Sequence, residues 1–61
     1  MGVGDLIRNT RASLGIPKGT MGLITNKYKE PQGDWYIYEI QWLGRQMSHS
    51  RRLERDLEVI G

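Results

Sequence analysis

Apolar and polar residues alternate most regularly through Trp35-Tyr36-Ile37-Tyr38-Glu39-Ile40-Gln41-Trp42, which Leu43-Gly44-Arg45 closes. The chain has two Trp, three Tyr and no Phe, and four of these five aromatics fall in this stretch beside two isoleucines. Such a run of β-formers, bounded on both sides by turn residues, predicts a strand. Alternation places Tyr36, Tyr38, Ile40 and Trp42 on one face and Trp35, Ile37, Glu39 and Gln41 on the other. Only the even-numbered face is apolar from end to end, so it is expected to meet the core.

The remaining segments are read around that strand. Gly4-Asp5-Leu6-Ile7-Arg8-Asn9-Thr10 predicts a short first strand entered through a glycine turn, with Ile7 facing the core and Leu6 covering one end of it. Arg11 to Pro17 is punctuated by Ser13, Gly15 and Pro17 and predicts a loop anchored by Leu14 and Ile16. Gly19-Thr20-Met21-Gly22-Leu23-Ile24-Thr25 predicts a second strand, with its glycines at a bend or close backbone approach and either Met21 or Ile24 inward. The polar stretch Asn26 to Asp34, ending in Pro31-Gln32-Gly33-Asp34, is expected to connect this strand to the aromatic one, with Tyr28 as its one large apolar residue. After the Leu43-Gly44-Arg45 turn, Gln46-Met47-Ser48-His49-Ser50 predicts a returning hairpin strand with Met47 inward. Arg51-Arg52-Leu53-Glu54-Arg55-Asp56 holds good helix formers but too few for a stable helix, so one 3₁₀ or helical turn is expected. Leu57-Glu58-Val59-Ile60 completes the set as a last strand with Leu57 and Val59 inward. No internal repeat, low-complexity tract or linker divides residues 1–61, which form a single all-β domain.

Composition narrows this picture. A chain of 61 residues has room for one core and must offset roughly 1.5 kcal/mol of conformational entropy per ordered residue. With no cysteine and a single His49, it has neither a disulfide staple nor a recognisable structural zinc site. Packing, hydrogen bonding or a partner must hold it, which favours a closed, short-looped architecture or a meander that dimerises through an edge. No apolar run approaches the roughly 18 residues of a membrane span, and Met1 leads into Gly-Val-Gly-Asp rather than a signal region. A cytoplasmic product is expected. Leu6 stands where N-myristoylation calls for Ser or Thr.

Gly4-Asp5-x-Ile7-Arg8 followed by Gly15-Ile16-Pro17-Lys18-Gly19-x-x-Gly22-x-Ile24 resembles the KOW motif, in which a glycine and a lysine precede Gly-x-x-Gly-x-Val. Tyr38-x-Ile40-x-Trp42-Leu43-Gly44 and Leu57-Glu58-Val59-Ile60 are similar to the third and fifth strands of many SH3-like small barrels. The resemblance implies a five-stranded SH3-like barrel with one 3₁₀ or short helical turn before the last strand. It departs from the motif at Asn9, which stands where the first strand usually carries its second apolar residue, and in the longer, more polar Asn9 to Leu14 segment. A small phage or bacterial protein fits the same residues equally well.

KOW-like barrels commonly contact RNA or ribosomal components, which implies a nucleic-acid surface on loops bearing Arg11, Lys18, Lys27, Lys29 and Arg45, with Trp35 available to stack a base. The net charge of +2 tolerates a polyanion without demanding one. Set against this, Glu30, Asp34 and Glu39 intersperse the cations, which is also the pattern of a solvated surface. Arg51, Arg52 and Arg55 form the densest positive cluster, but Glu54, Asp56 and Glu58 alternate with them and suggest local ion pairs. The alternative function is protein recognition or docking as an accessory subunit, through an aromatic groove that SH3-like barrels can form and that Tyr28, Trp35 and Tyr36 would line here. Trp35 and Ile37, side by side on the odd face, would mark a contact and favour a homodimer. His49 has Ser48 and Ser50 as strand neighbours that alternate away from it, and the carboxylates lack metal-ligand spacing. The expectation is a binding module without catalytic residues, metal or cofactor.

Overall fold

The computed structural model describes residues 1–12, 15–44 and 49–61, with His49 described by its backbone alone. Five strands follow one another, β1 (Leu6–Asn9), β2 (Met21–Lys29), β3 (Tyr36–Trp42), β4 (His49–Leu53) and β5 (Leu57–Val59), with a 3₁₀ turn at Glu54–Asp56 before the last. All pairs are antiparallel and the order across the sheet is β4-β3-β2-β1-β5. The all-β class and the single 3₁₀ turn ahead of the last strand are as the residue pattern predicts.

The core forms on the even face of β3. Tyr38, Ile40 and Trp42 are buried together with Ile7, Ile16, Ile24 and Leu57, and Met1 packs against them. Gly22 lies opposite Trp42 in the β2–β3 ladder. A Cβ at Gly22 would stand 2.6 Å from Ile40 Cγ2, 2.9 Å from the Gln41 carbonyl oxygen and 2.9 Å from Trp42 Cε3. The indole is therefore seated where only a glycine leaves space, the close approach that a glycine within a strand signals. Ile16 is buried as the predicted anchor of the first loop, while Leu14 and Met47 lie outside the described residues.

Asn9 is also buried, at the position where an apolar residue was expected from the motif. Its amide nitrogen donates to the carbonyls of Ile16 at 3.4 Å and Pro17 at 3.3 Å. The Asn9 backbone brackets the same loop, its N–H donating to Thr20 and its carbonyl accepting from the Gly19 N–H, each at 2.8 Å. The amide is half served: its nitrogen fastens the loop, while its Oδ1 is buried with no hydrogen-bond partner among the described residues.

Several expectations are corrected. Strand β2 does not end at Thr25 but runs on to Lys29, because the register shifts between Ile24 and Asn26 and pairing with β3 resumes beyond the bulge. The bulge reverses which residues face inward, so Lys27 and Lys29 pair across from Tyr38 and Tyr36 while Asn26 and Tyr28 take the outer face. The returning strand occupies His49–Leu53, so Arg51, Arg52 and Leu53 belong to β4 and not to the helical turn. Their backbones pair with Glu39, Tyr38 and Ile37, and ladder hydrogen bonds outweigh a helical preference that is weak over six residues.

Two inward assignments also fail, and the alternative between Met21 and Ile24 is decided for Ile24. Tyr36 is 43% exposed because it begins β3 beyond the apolar cluster, and Met21 is 45% exposed on the outer face, leaving Ile24 as the buried residue of β2. Val59 pairs with Ile7 yet is 45% exposed, since it ends a three-residue edge strand whose far side carries no further ladder.

Candidate binding cleft beside the 3₁₀ turn

Where β4 gives way to the 3₁₀ turn, the chain opens a cleft of about 370 Å³ lined by Trp35, Leu53, Glu54 and Arg55. Trp35 immediately precedes β3, and its six-membered ring lies so close to Gly33 that any Cβ at Gly33 would collide with it. The Gly33 backbone thus supports one side of the indole, and the loop closes beneath it through the Gly33 N–H to the Glu30 carbonyl at 3.2 Å and the Glu30 N–H to the Trp35 carbonyl at 3.0 Å. Trp35 remains 51% exposed. Opposite it, Leu53 is half-buried across from Ile37, which in turn pairs with Tyr28. These three make a row across the outer face of β2, β3 and β4.

Glu54 is held from the core side. The buried Tyr38 hydroxyl donates to Glu54 Oε1 at 3.2 Å, which fixes the carboxylate at the cleft through one oxygen. Burial, then the hydrogen bond to Glu54 and the nearby negative charge, raise the Tyr38 pKa above its ordinary 10.0. Tyr38 therefore stays a donor throughout the neutral range. Arg55 is exposed, and its guanidinium makes no ion pair among the described residues. The acids of this segment do not form local pairs around the turn. Asp56 meets Arg11 at 3.5 Å, Glu58 pairs with Arg8 across the β1–β5 ladder, and Arg51 pairs with Glu39 at 3.5 Å.

The cations proposed from the sequence are thereby separated. Arg11, already paired with Asp56, and the exposed Lys18 lie near the end of the sheet where β1 finishes and β2 begins. Lys27, Lys29, Tyr28, Trp35 and Tyr36 gather at the opposite end. Lys27 is not a free loop cation: its ammonium donates to the Met1 carbonyl at 2.9 Å and lies 4.5 Å from the Tyr36 ring centre and 5.7 Å from that of Tyr38. Lys29 is exposed at the end of β2, beside a shallow hollow formed by residues 29–34. Arg45 lies outside the described residues. Ile37 is half-buried between Tyr28 and Leu53 and so does not share an exposed patch with Trp35.

Leu53, Glu54 and Arg55 were not legible as partners of Trp35. Their only sequence signal was a cluster of charges resembling local pairing, whereas the Tyr38–Glu54 bond joins residues 16 positions apart. Among the described residues no group of three or more His, Cys, Asp or Glu is placed to hold a metal ion, and no helix is long and apolar enough to cross a membrane. Compared with protein-family models, curated proteins and solved structures, the chain has no match.

Proposed function

We propose that this chain is a non-catalytic binding module of the KOW-like, SH3-like kind, and that it contacts single-stranded nucleic acid at the end of the sheet carrying Trp35. The supporting observation is the half-exposed Trp35 indole, braced by Gly33 and opening onto a cleft with Arg55 at its rim. A braced aromatic offers a stacking face at little entropic cost, and base stacking on such a face contributes roughly 1–3 kcal/mol per base. Arg55 and Lys29 supply phosphate contacts that make binding weaken with salt. Arg11 and Lys18, at the far end, would be reached only by a longer strand.

An NMR titration with short single-stranded RNA and with duplex DNA, at low and moderate salt, tests this reading. Shifts centred on the Trp35 indole, Lys29 and Arg55 that fade steeply with salt are expected for the single strand. Absence of shifts at low salt refutes it. A second reading, protein contact through a second copy of the chain, draws on a different surface. Met21, Leu23, Leu43 and Ile60 are exposed together on the outer face of β1 and β2, where Leu6 pairs with Leu23, the Leu43 N–H donates to Met21 and the Ile60 N–H donates to Leu6. Light scattering that gives a monomer mass at high concentration removes it.

A further inference from the structure

The cleft holds more than a stacking face. Its lining sets an indole against an acceptor-only carboxylate, with a guanidinium at the rim. A carboxylate repels phosphate, so a site built only to follow a nucleic-acid backbone has no use for Glu54. The carboxylate is nonetheless fixed in place by the Tyr38 hydroxyl through one oxygen, which leaves lone pairs of both oxygens able to accept further hydrogen bonds. Of the four RNA bases, only guanine presents two adjacent N–H donors on its Watson–Crick edge, N1–H and the N2 amine, a match for two carboxylate oxygens. Adenine and cytosine set a single amine beside an acceptor nitrogen that would face the carboxylate unfavourably. Uracil offers one N–H between two carbonyls.

We infer that the Trp35–Leu53–Glu54–Arg55 cleft takes one unpaired guanine of a single strand, stacked on Trp35 with its Watson–Crick edge on Glu54 and an adjoining phosphate near Arg55. This rests on the nucleic-acid reading of the same surface and deepens it to a base preference. Single-stranded targets expose that edge, which a duplex conceals.

The test measures affinity by fluorescence anisotropy for a short oligouridine, for the same strand carrying one central guanosine, and for one carrying inosine, which lacks the N2 amine. The guanosine strand is expected to bind roughly ten- to hundredfold tighter than oligouridine, the range of a good bidentate base contact, with inosine between them. Glu54→Gln, which keeps an acceptor for Tyr38 but replaces one oxygen by a donor, is expected to bring the guanosine and uridine strands close together, the ratio of the two affinities being the readout because losing the carboxylate's charge also strengthens oligouridine binding. The DNA counterparts separate two sources of the base. Equal discrimination in DNA and RNA places the contact on the base alone, and discrimination only in RNA adds a contact to the 2′-hydroxyl. If all three RNA strands bind equally and Glu54→Gln leaves their ratio unchanged, the guanine assignment is overturned while the nucleic-acid reading stands. If no strand binds at low salt, both are overturned.

Discussion

Replacing Gly22 by alanine isolates the seat of the buried indole. The backbone at Gly22 is not in the left-handed region, so alanine brings no conformational penalty there and would by itself stabilise by roughly 0.4–1 kcal/mol through the unfolded chain. The added methyl, however, would stand 2.6 Å from Ile40 Cγ2 and 2.9 Å from both Trp42 Cε3 and the Gln41 carbonyl oxygen. Two of these atoms belong to fully buried side chains and the third to the backbone of the paired strand, so none is a flexible chain end that can swing aside. Overpacking of this kind typically costs about 1–3 kcal/mol, and three simultaneous contacts place Gly22→Ala toward the upper end, a net loss of about 2 kcal/mol. For a domain of this size that corresponds to a melting temperature lower by roughly 8–16 °C. Gly2→Ala, with nothing within 4 Å of its Cβ, is the control and is expected to melt like the parent. Urea and thermal unfolding followed by circular dichroism give both values. Parent-like stability for Gly22→Ala would refute the close approach of β2 to Trp42.

Two further perturbations test the core and its link to the cleft. Trp42→Ala should lose about 3–5 kcal/mol and with it most of the margin of so small a domain; Trp42→Phe should lose much less, because among the described residues the indole N–H has no hydrogen-bond partner to forfeit, and chemical denaturation distinguishes them. Since the folded-state pKa of Tyr38 is raised above 10.0, the contribution of its protonated form is fully present below that value and is lost as pH climbs through the folded-state pKa, so the urea midpoint should fall on the alkaline side and Tyr38→Phe should flatten that decline.

How much of this was readable from the residues differs from strand to strand. Strand β3 was legible because its alternation and its β-forming residues agree, and Tyr38, Ile40 and Trp42 are buried accordingly. The far extent of β4 was missed because Arg51-Arg52-Leu53 looks helical in isolation, and only its partners on β3 reveal it as extended, while Gln46, Met47 and Ser48 of the predicted strand lie outside the described residues. The extent of β2 was hidden for a different reason. Thr25 carries no chemical mark of a bulge, and the polar residues beyond it resemble a loop until their ladder with β3 is seen. At the cleft, Trp35 stood out as an aromatic beside a turn, but Glu54 and Arg55 acquired a role only because they line the same cleft as Trp35 and because Tyr38 bonds Glu54, which sequence neighbours do not report. The tyrosine and methionine carbonyl around Lys27 were concealed in the same way.

The bulge between Ile24 and Asn26 also determines which kinds of change this chain can absorb. It shifts the phase of the sheet by a half-step: everything before it counts inward positions on one parity and everything after it on the other. A substitution at Thr25 leaves that count intact and forfeits the hydroxyl's hydrogen bond to the Glu39 carbonyl at 3.2 Å. Deleting Thr25, the residue the ladder skips, would restore unbroken alternation and keep Asn26, Lys27 and Tyr28 opposite Glu39, Tyr38 and Ile37, so Lys27 would stay beside Tyr36 and Tyr38. The bulge thus gives β2 one residue of slack, which a deletion at Thr25 takes up, whereas losing a second residue there would turn the far end of the strand over.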